Sequence, residues 1–179
     1  MYNFSFHIPT IIHFGKGTIT HLEELKDYGK KVLLVYGGGS IKKNGIYDNA
    51  IKILKDAGLE ILELSGVEPN PRIQTVREGV RICKEEKIDM VLAIGGGSTI
   101  DCAKVIAAGA KYDNDAWDLV LDGSKVNDAL PIFDVLTLSA TGTEMDPFAV
   151  ISDLTKNEKW GTGSKHMIPT MSVLDPEYT

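Results

Sequence analysis

Val91-Leu92-Ala93-Ile94-Gly95-Gly96-Gly97-Ser98-Thr99-Ile100-Asp101 runs from a short apolar segment through three glycines into a helical pattern. The apolar part suits a strand buried on both faces, and the pattern behind the glycines opens a helix at once. Glycine permits positive φ and close approach of the backbone to a ligand. The first turn of a helix presents unpaired N–H groups and the positive end of its dipole. A diphosphate fits both features, although a glycine run after a strand also serves as a plain tight turn. A second copy favours the ligand: Val32-Leu33-Leu34-Val35-Tyr36 leads into Gly37-Gly38-Gly39-Ser40, the same four letters after the same kind of strand. Two such turns imply one ligand with two anchoring points.

Working outward, the spacing predicts a helix from about Asn44 to Ala57 with Gly58 as its C-terminal stop, a strand over Leu59 to Leu64, and a helix carrying Ile73, Val76, Val80 and Cys83. The Ser65 to Pro71 loop between them holds two prolines that forbid regular structure. These elements form a βαβ crossover into the central strand. The helix from Ser98 to about Ala110 is apolar around nearly its whole circumference, so it should be buried on most sides. A turn of helix over Asp113 to Trp117, a polar loop at Asp122-Gly123-Ser124 and a strand from Ile132 to Leu138 follow. Ser139-Ala140-Thr141-Gly142-Thr143-Glu144 then brings hydroxyls and a glycine to the sheet edge where open α/β sheets bind ligands. Ala149 to Ile151 and Trp160 to Thr162 read as a hairpin around Asp153 to Lys159, and Thr170 to Leu174 as a short strand. At the other end, Phe4, Phe6 and Ile8 alternate with polar residues as an edge strand able to pair with another subunit. Thr18 reads as the N-cap of a helix reaching Tyr28, with Gly29 as its stop.

The expected fold is therefore α/β: a Rossmann-like open, mostly parallel sheet with flanking helices, plus a β-hairpin near the C-terminus, in one domain spanning residues 1–179. The chain has 179 residues, 43% of them hydrophobic, and a net charge of −6. That charge, with no dense Lys/Arg cluster, argues against a nucleic-acid partner. Cys83 and Cys102 sit in no metal-ligand spacing and make no disulfide framework, which points to a reducing, cytoplasmic setting. No run approaches a membrane span. His7, His13, His21 and His166 lack metal-ligand spacing and are expected to be surface or packing residues.

Phe14-Gly15-Lys16-Gly17, Tyr36 through Ser40, Gly66-Val67-Glu68-Pro69-Asn70-Pro71, Ala93 through Asp101, Leu138 through Met145 and Leu174-Asp175-Pro176 together resemble the iron-containing (group III) alcohol dehydrogenases, in particular the branch of NAD(P)H-dependent butanol dehydrogenases. The resemblance implies NAD(P)-linked interconversion of primary alcohols and aldehydes by an N-terminal dinucleotide-binding domain joined to a helical domain. That helical domain carries the metal ligands, for iron or zinc, and lies beyond this chain. The isolated chain is then expected to be inactive and to self-associate as a homo-oligomer. Other readings are a non-catalytic nucleotide-binding fragment and a relative of glycerol dehydrogenase.

By the same resemblance, Gly95, Gly96, Gly97 and Ser98 hold the diphosphate, and Asp101 belongs to the cofactor contacts. From spacing alone, Ser98-x-x-Asp101 is equally a capping box. Gly37, Gly38, Gly39 and Ser40 belong beside the adenosine ribose. An acid at the position of Gly39 goes with NAD in the family; glycine, with Lys42 and Lys43 near, admits NADP, so both stay open. Thr137, Leu138, Thr141 and Thr143 match the segment lining adenine and ribose. Lys104 and Lys159 resemble lysines near the cofactor, Lys159 being placed to reach the nicotinamide ribose. Cys102 reads as a small buried filler.

Overall fold

The computed structural model describes residue 3 and residues 7–179. Among the described residues, eight strands run in chain order: β1 (Ile11–Phe14), β2 (Lys31–Tyr36), β3 (Glu60–Leu64), β4 (Met90–Gly95), β5 (Ile132–Leu136), β6 (Phe148–Asp153), β7 (Glu158–Gly163) and β8 (Met171–Leu174). The helices are α1 (Ser40–Lys43), α2 (Ile46–Asp56), α3 (Ile73–Glu85), α4 (Gly97–Ala110) and α5 (Ala116–Leu121), with 3-10 segments at Thr18–Asp27, Gly123–Lys125 and Lys165–Met167. Six strands form one sheet in the order β1-β8-β5-β4-β2-β3, every neighbouring pair parallel, while β6 and β7 make a separate antiparallel hairpin.

The inner strands are apolar on both faces because both are covered. On one face, the 3-10 segment Thr18–Asp27 and α2 bury Leu22, Leu25, Ala50 and Leu54 against Leu34, Leu92 and Phe133. On the other, α3, α4, α5 and the hairpin close over Leu33, Val91, Ala93 and Leu136. Helix α4 lies deepest: Ile100, Cys102, Ala103, Val105, Ile106 and Ala107 are all fully buried, as its all-round apolar pattern requires. It therefore presents no bare apolar face for a second copy.

Several local expectations are corrected. The first helix is a 3-10 segment whose N-cap is Gly17, at φ 77°, not Thr18. The Gly17 N–H donates to Asp175 Oδ2 at 2.7 Å, so a residue far along the chain satisfies this terminus. Gly29 does not end that segment through positive φ; Asp89 packs where its Cβ would stand. Gly58 does take the left-handed conformation behind α2, at φ 82°. The helix expected around Asp113 begins later, at Ala116, with Asp115 accepting from the Trp117 N–H. The expected strand through Phe4 and Phe6 lies outside the described residues. Among the described residues, no helix is long and apolar enough to cross a membrane.

Candidate functional site

The glycine turns meet at one edge of the sheet. Strand β2 pairs with β3 on one side and with β4 on the other, all parallel, so the order in which successive strands are added reverses across the β2–β4 boundary. That boundary is the switch point at which open α/β sheets form a ligand crevice. Tyr36 is in register with Ile94, and Gly95 with Leu136. Gly37 to Ser40, Gly95 to Ser98 and Thr137 onward thus leave adjacent parallel strands side by side.

In the Gly95 to Ser98 turn, Gly95 is the last residue of β4 and Gly96 caps α4 with no side-chain hydrogen bond at the cap. The N-terminal N–H groups of a 14-residue helix consequently point into the crevice. The Thr137 N–H donates to the Gly95 carbonyl at 3.0 Å. A Cβ on Gly96 would meet Leu138 Cβ at 3.3 Å, and one on Gly97 would meet Thr141 Oγ1 at 3.4 Å. The hydroxyl-bearing segment therefore lies directly against the cradle. Around the other turn, Tyr36, Gly37, Gly38, Gly39, Lys42, Ser65 and Gly66 line a cavity of about 280 Å³. Ser40 is exposed as the first residue of α1. Lys42 Nζ stands 4.4 Å from the Tyr47 ring centroid and 5.0 Å from that of Tyr36. Glu63 accepts from both tyrosine hydroxyls, at 2.6 and 2.7 Å. Burial alone would raise the Glu63 carboxyl, yet these hydroxyls and Lys42 hold it below the usual carboxylate range.

Asn70 ties the crevice to the hairpin. Its N–H donates to Ser98 Oγ at 3.3 Å, and its Oδ1 accepts from Lys159 Nζ at 2.6 Å. The sequence places Ser98 and Lys159 near one ligand but does not disclose this bridge. The signal was an asparagine between two prolines, a residue that tolerates the left-handed backbone it adopts here, at φ 55°.

Asp101 does not cap α4. Its Oδ1 accepts from Thr143 Oγ1 at 2.7 Å and its Oδ2 from the Val150 N–H at 3.0 Å. Capping fails because the helix begins at Gly97, which puts Asp101 past its first turn. Burial raises its carboxyl above the usual range. Lys104 is fully buried. Its ammonium donates to Thr143 Oγ1, the carbonyls of Asp146 and Phe148, and Asp146 Oδ1, all at 2.8 to 2.9 Å. Burial lowers its pKa against the pull of Asp146. Thr143 is 3% exposed, with its hydroxyl committed to Lys104 and Asp101, whereas Thr141 and Leu138 are exposed and Thr137 half-buried. Burial pushes the Cys102 thiol up to about 12, which makes it inert packing.

Among the described residues, one group of three could be considered for a metal: His13, His21 and Glu24, with ligand atoms within 4.8 Å of one another. The cluster starts on β1, three strand positions from β4. The rings stack 3.6 Å apart and 8° from parallel. An ion about 2.1 Å from a nitrogen on each ring would sit far out of both ring planes. Glu24 instead pairs with His21, whose Nδ1 lies 2.6 Å away, while His13 Nε2 at 3.6 Å is buried with no hydrogen-bond partner among the described residues. The cluster does not fit a metal.

An open parallel sheet with glycine turns at its switch point and a helix N-terminus aimed into the crevice defines the class, an α/β domain of the nucleotide-binding type. The chain belongs to the iron-containing alcohol dehydrogenase family, whose profile matches residues 9–176. Over its whole length it is 61% identical to NADH-dependent butanol dehydrogenase A of Clostridium acetobutylicum, of which it spans 46%. It is 44% identical to the NADPH-dependent aldehyde reductase YqhD of Escherichia coli, again spanning 46% of that protein. The crystal structure of NADH-dependent butanol dehydrogenase A from Thermotoga maritima superposes with a TM-score of 0.94 at 52% identity, over 98% of this chain and 45% of that one. The chain thus spans about half the length of the relatives it matches.

Proposed function

We propose that this chain is the cofactor-holding half of an NAD(P)-linked oxidoreductase that interconverts primary alcohols and aldehydes. The observation that carries the reading is the pair of glycine turns on adjacent parallel strands, with the Thr137 to Thr143 segment packed on one of them. Gly95, Gly96, Gly97 and Ser98 hold the diphosphate through backbone N–H groups at the α4 N-terminus. Gly37, Gly38, Gly39 and Ser40 enclose the adenosine ribose, Thr137, Leu138 and Thr141 line the adenine side, and Lys159 faces the nicotinamide side. Asp101 and Thr143 belong to the same site as its struts, tying α4 to the loop and hairpin. A bound nicotinamide would supply hydride exchange; the protein's part is to fix its position. The related butanol dehydrogenases are named for NADH and the aldehyde reductase for NADPH, and no acid stands at Gly39, so both nucleotides belong in the test.

The described residues offer no ligand set for the metal in the family's name. Iron or zinc, and turnover itself, belong to residues outside this chain. A second reading is that the chain by itself acts only as a nucleotide-binding module, since it spans about half the length of the relatives it matches. We assign it to the cytoplasm and to a homo-oligomer, with neither nucleic acid nor membrane as partner.

Fluorescence titrations with NADH and NADPH test the reading. Saturable binding of either is expected, weakened by Gly97→Ala. A folded chain that binds neither would overturn it. Butanol-dependent reduction of NAD or NADP by the purified 179-residue chain would overturn the assignment of turnover to residues elsewhere.

A further inference from the structure

Strands β5 and β8 are parallel neighbours, and Asp134 lies in register with Ser172. Both side chains are fully buried. Ser172 Oγ stands 2.7 Å from Asp134 Oδ2 and 2.7 Å from the main-chain carbonyl of Glu144. A serine hydroxyl carries one hydrogen, and here two oxygens claim it. If Asp134 were ionised, that hydrogen would go to the carboxylate. Ser172 Oγ and the Glu144 carbonyl oxygen would then face each other with no hydrogen between them. Asp134 Oδ1, which is buried and has no partner among the described residues, would carry part of an unsolvated charge. With a proton on Oδ2, the contacts resolve into a relay: Asp134 donates to Ser172, and Ser172 donates to Glu144.

We infer that Asp134 is a neutral carboxylic acid that, through Ser172, pins the Ser139 to Glu144 loop against the glycine cradle, and is thus a positioning residue for the nucleotide site. The inference rests on the nucleotide-binding reading for its function but not for its chemistry. The surroundings agree. On β4 the neighbour in register is Ala93. The loop contributes Glu144, whose own Oε2 is buried without a partner and opposes a second negative charge. From α4 comes Lys104, which favours ionisation but spends its hydrogens on Thr143, Asp146 and Phe148. Burial is the dominant influence, and it drives the Asp134 carboxyl well above the usual carboxylate range. The loop is held twice: from α4 through Lys104 and Thr143, and from the sheet through Asp134 and Ser172. Sequence reading missed the second hold because an aspartate inside an apolar strand shows its partner only in the folded sheet.

The test uses the complete 179-residue chain. An infrared carbonyl band from a protonated carboxyl should be present at about pH 7 and vanish in Asp134→Asn. Asp134→Leu removes the donor and should weaken NADH or NADPH binding about tenfold, the loss of a buried hydrogen bond. Asp134→Asn restores a donor to Ser172 without a titrating group. It should rescue affinity to within about threefold and flatten the decline in Tm expected of the wild type towards neutral pH. Ser172→Ala should weaken binding as Asp134→Leu does, and it keeps the test open if Asp134→Leu does not fold. Absence of the band, or an Asp134→Asn variant as impaired as Asp134→Leu, would overturn the inference. A band present in a chain that binds no nucleotide would support the neutral acid and overturn the nucleotide reading instead.

Discussion

At Gly95 an added Cβ would meet Thr99 Oγ1 at 2.5 Å and Thr99 Cβ at 2.9 Å, inside the first turn of α4. At Gly97 it would meet nothing closer than 3.4 Å, an ordinary contact. The first glycine is therefore required by packing, while the third faces the crevice with room to spare. Gly97→Ala should leave stability unchanged or raise it by less than about 1 kcal/mol, since alanine is the better helix former. It should weaken nucleotide binding about tenfold or more by standing where the phosphates approach the N–H groups. Thermal melts and titration on one sample separate the two effects, and unaltered affinity would return the glycine to a packing role. Gly95→Ala should instead lower stability by about 1–3 kcal/mol, the usual cost of overpacking. The three glycines were legible in the sequence as a set. Their different duties were not, because the space around each Cβ is set by Thr99, Leu138 and Thr141 in the folded molecule. Asp101 shows the same limit: its spacing from Ser98 permitted a cap, and only the position of the hairpin reveals that its oxygens are taken by Thr143 and Val150.

Among the elements, α4 carries most of the site's rigidity. Its periodicity announced a buried helix, but a lysine within it read as a neighbour of the cofactor, and Lys104 proves to be a strut. A fully buried ammonium with four acceptors around its three hydrogens holds the Thr143 to Phe148 segment to the helix. Lys104→Met removes the charge and strands Asp146 with two carbonyls. It should cost about 3–5 kcal/mol, as for breaking a buried pair from one side. Chemical denaturation measures this, and a loss below about 1 kcal/mol would mean that water replaces the ammonium. At the opposite end of the sheet, Asp89 joins two strands by accepting from the Lys30 and Lys31 N–H groups at 2.7 and 2.9 Å. Element order, the βαβ crossovers and the hairpin were readable from apolar spacing and turn residues. The insertion of β8 between β1 and β5 was not, because four residues ending a long connection carry no pairing information of their own.

For the molecule as a whole, the carboxylates divide into two groups that respond to pH in opposite directions. Asp89 is held below the usual carboxylate range by the Lys30 and Lys31 N–H groups, and Asp115 by the Arg77 guanidinium. The folded chain therefore binds fewer protons at these sites than the unfolded one. Their stabilisation is present above the ordinary carboxylate value and is lost as pH falls through the folded values. Asp134 and Asp101 are raised by burial. Their contribution is full below the ordinary value of about 3.9 and declines as pH rises through their folded values. The net charge of −6 adds self-repulsion on the same side, since the isoelectric point lies near 5.2. Stability should therefore peak on the acid side of neutrality, at about pH 4–6. Denaturant midpoints across about pH 3–8 would trace this curve. Asp89→Asn, which keeps an acceptor but no titrating charge, should cost about 1 kcal/mol near neutrality and flatten only the acid limb, whereas Asp134→Asn should flatten only the neutral limb. A wild-type curve that climbed steadily to pH 8 would show that the raised carboxyls ionise without cost in the folded chain, and the sheet-to-loop relay would lose its thermodynamic basis.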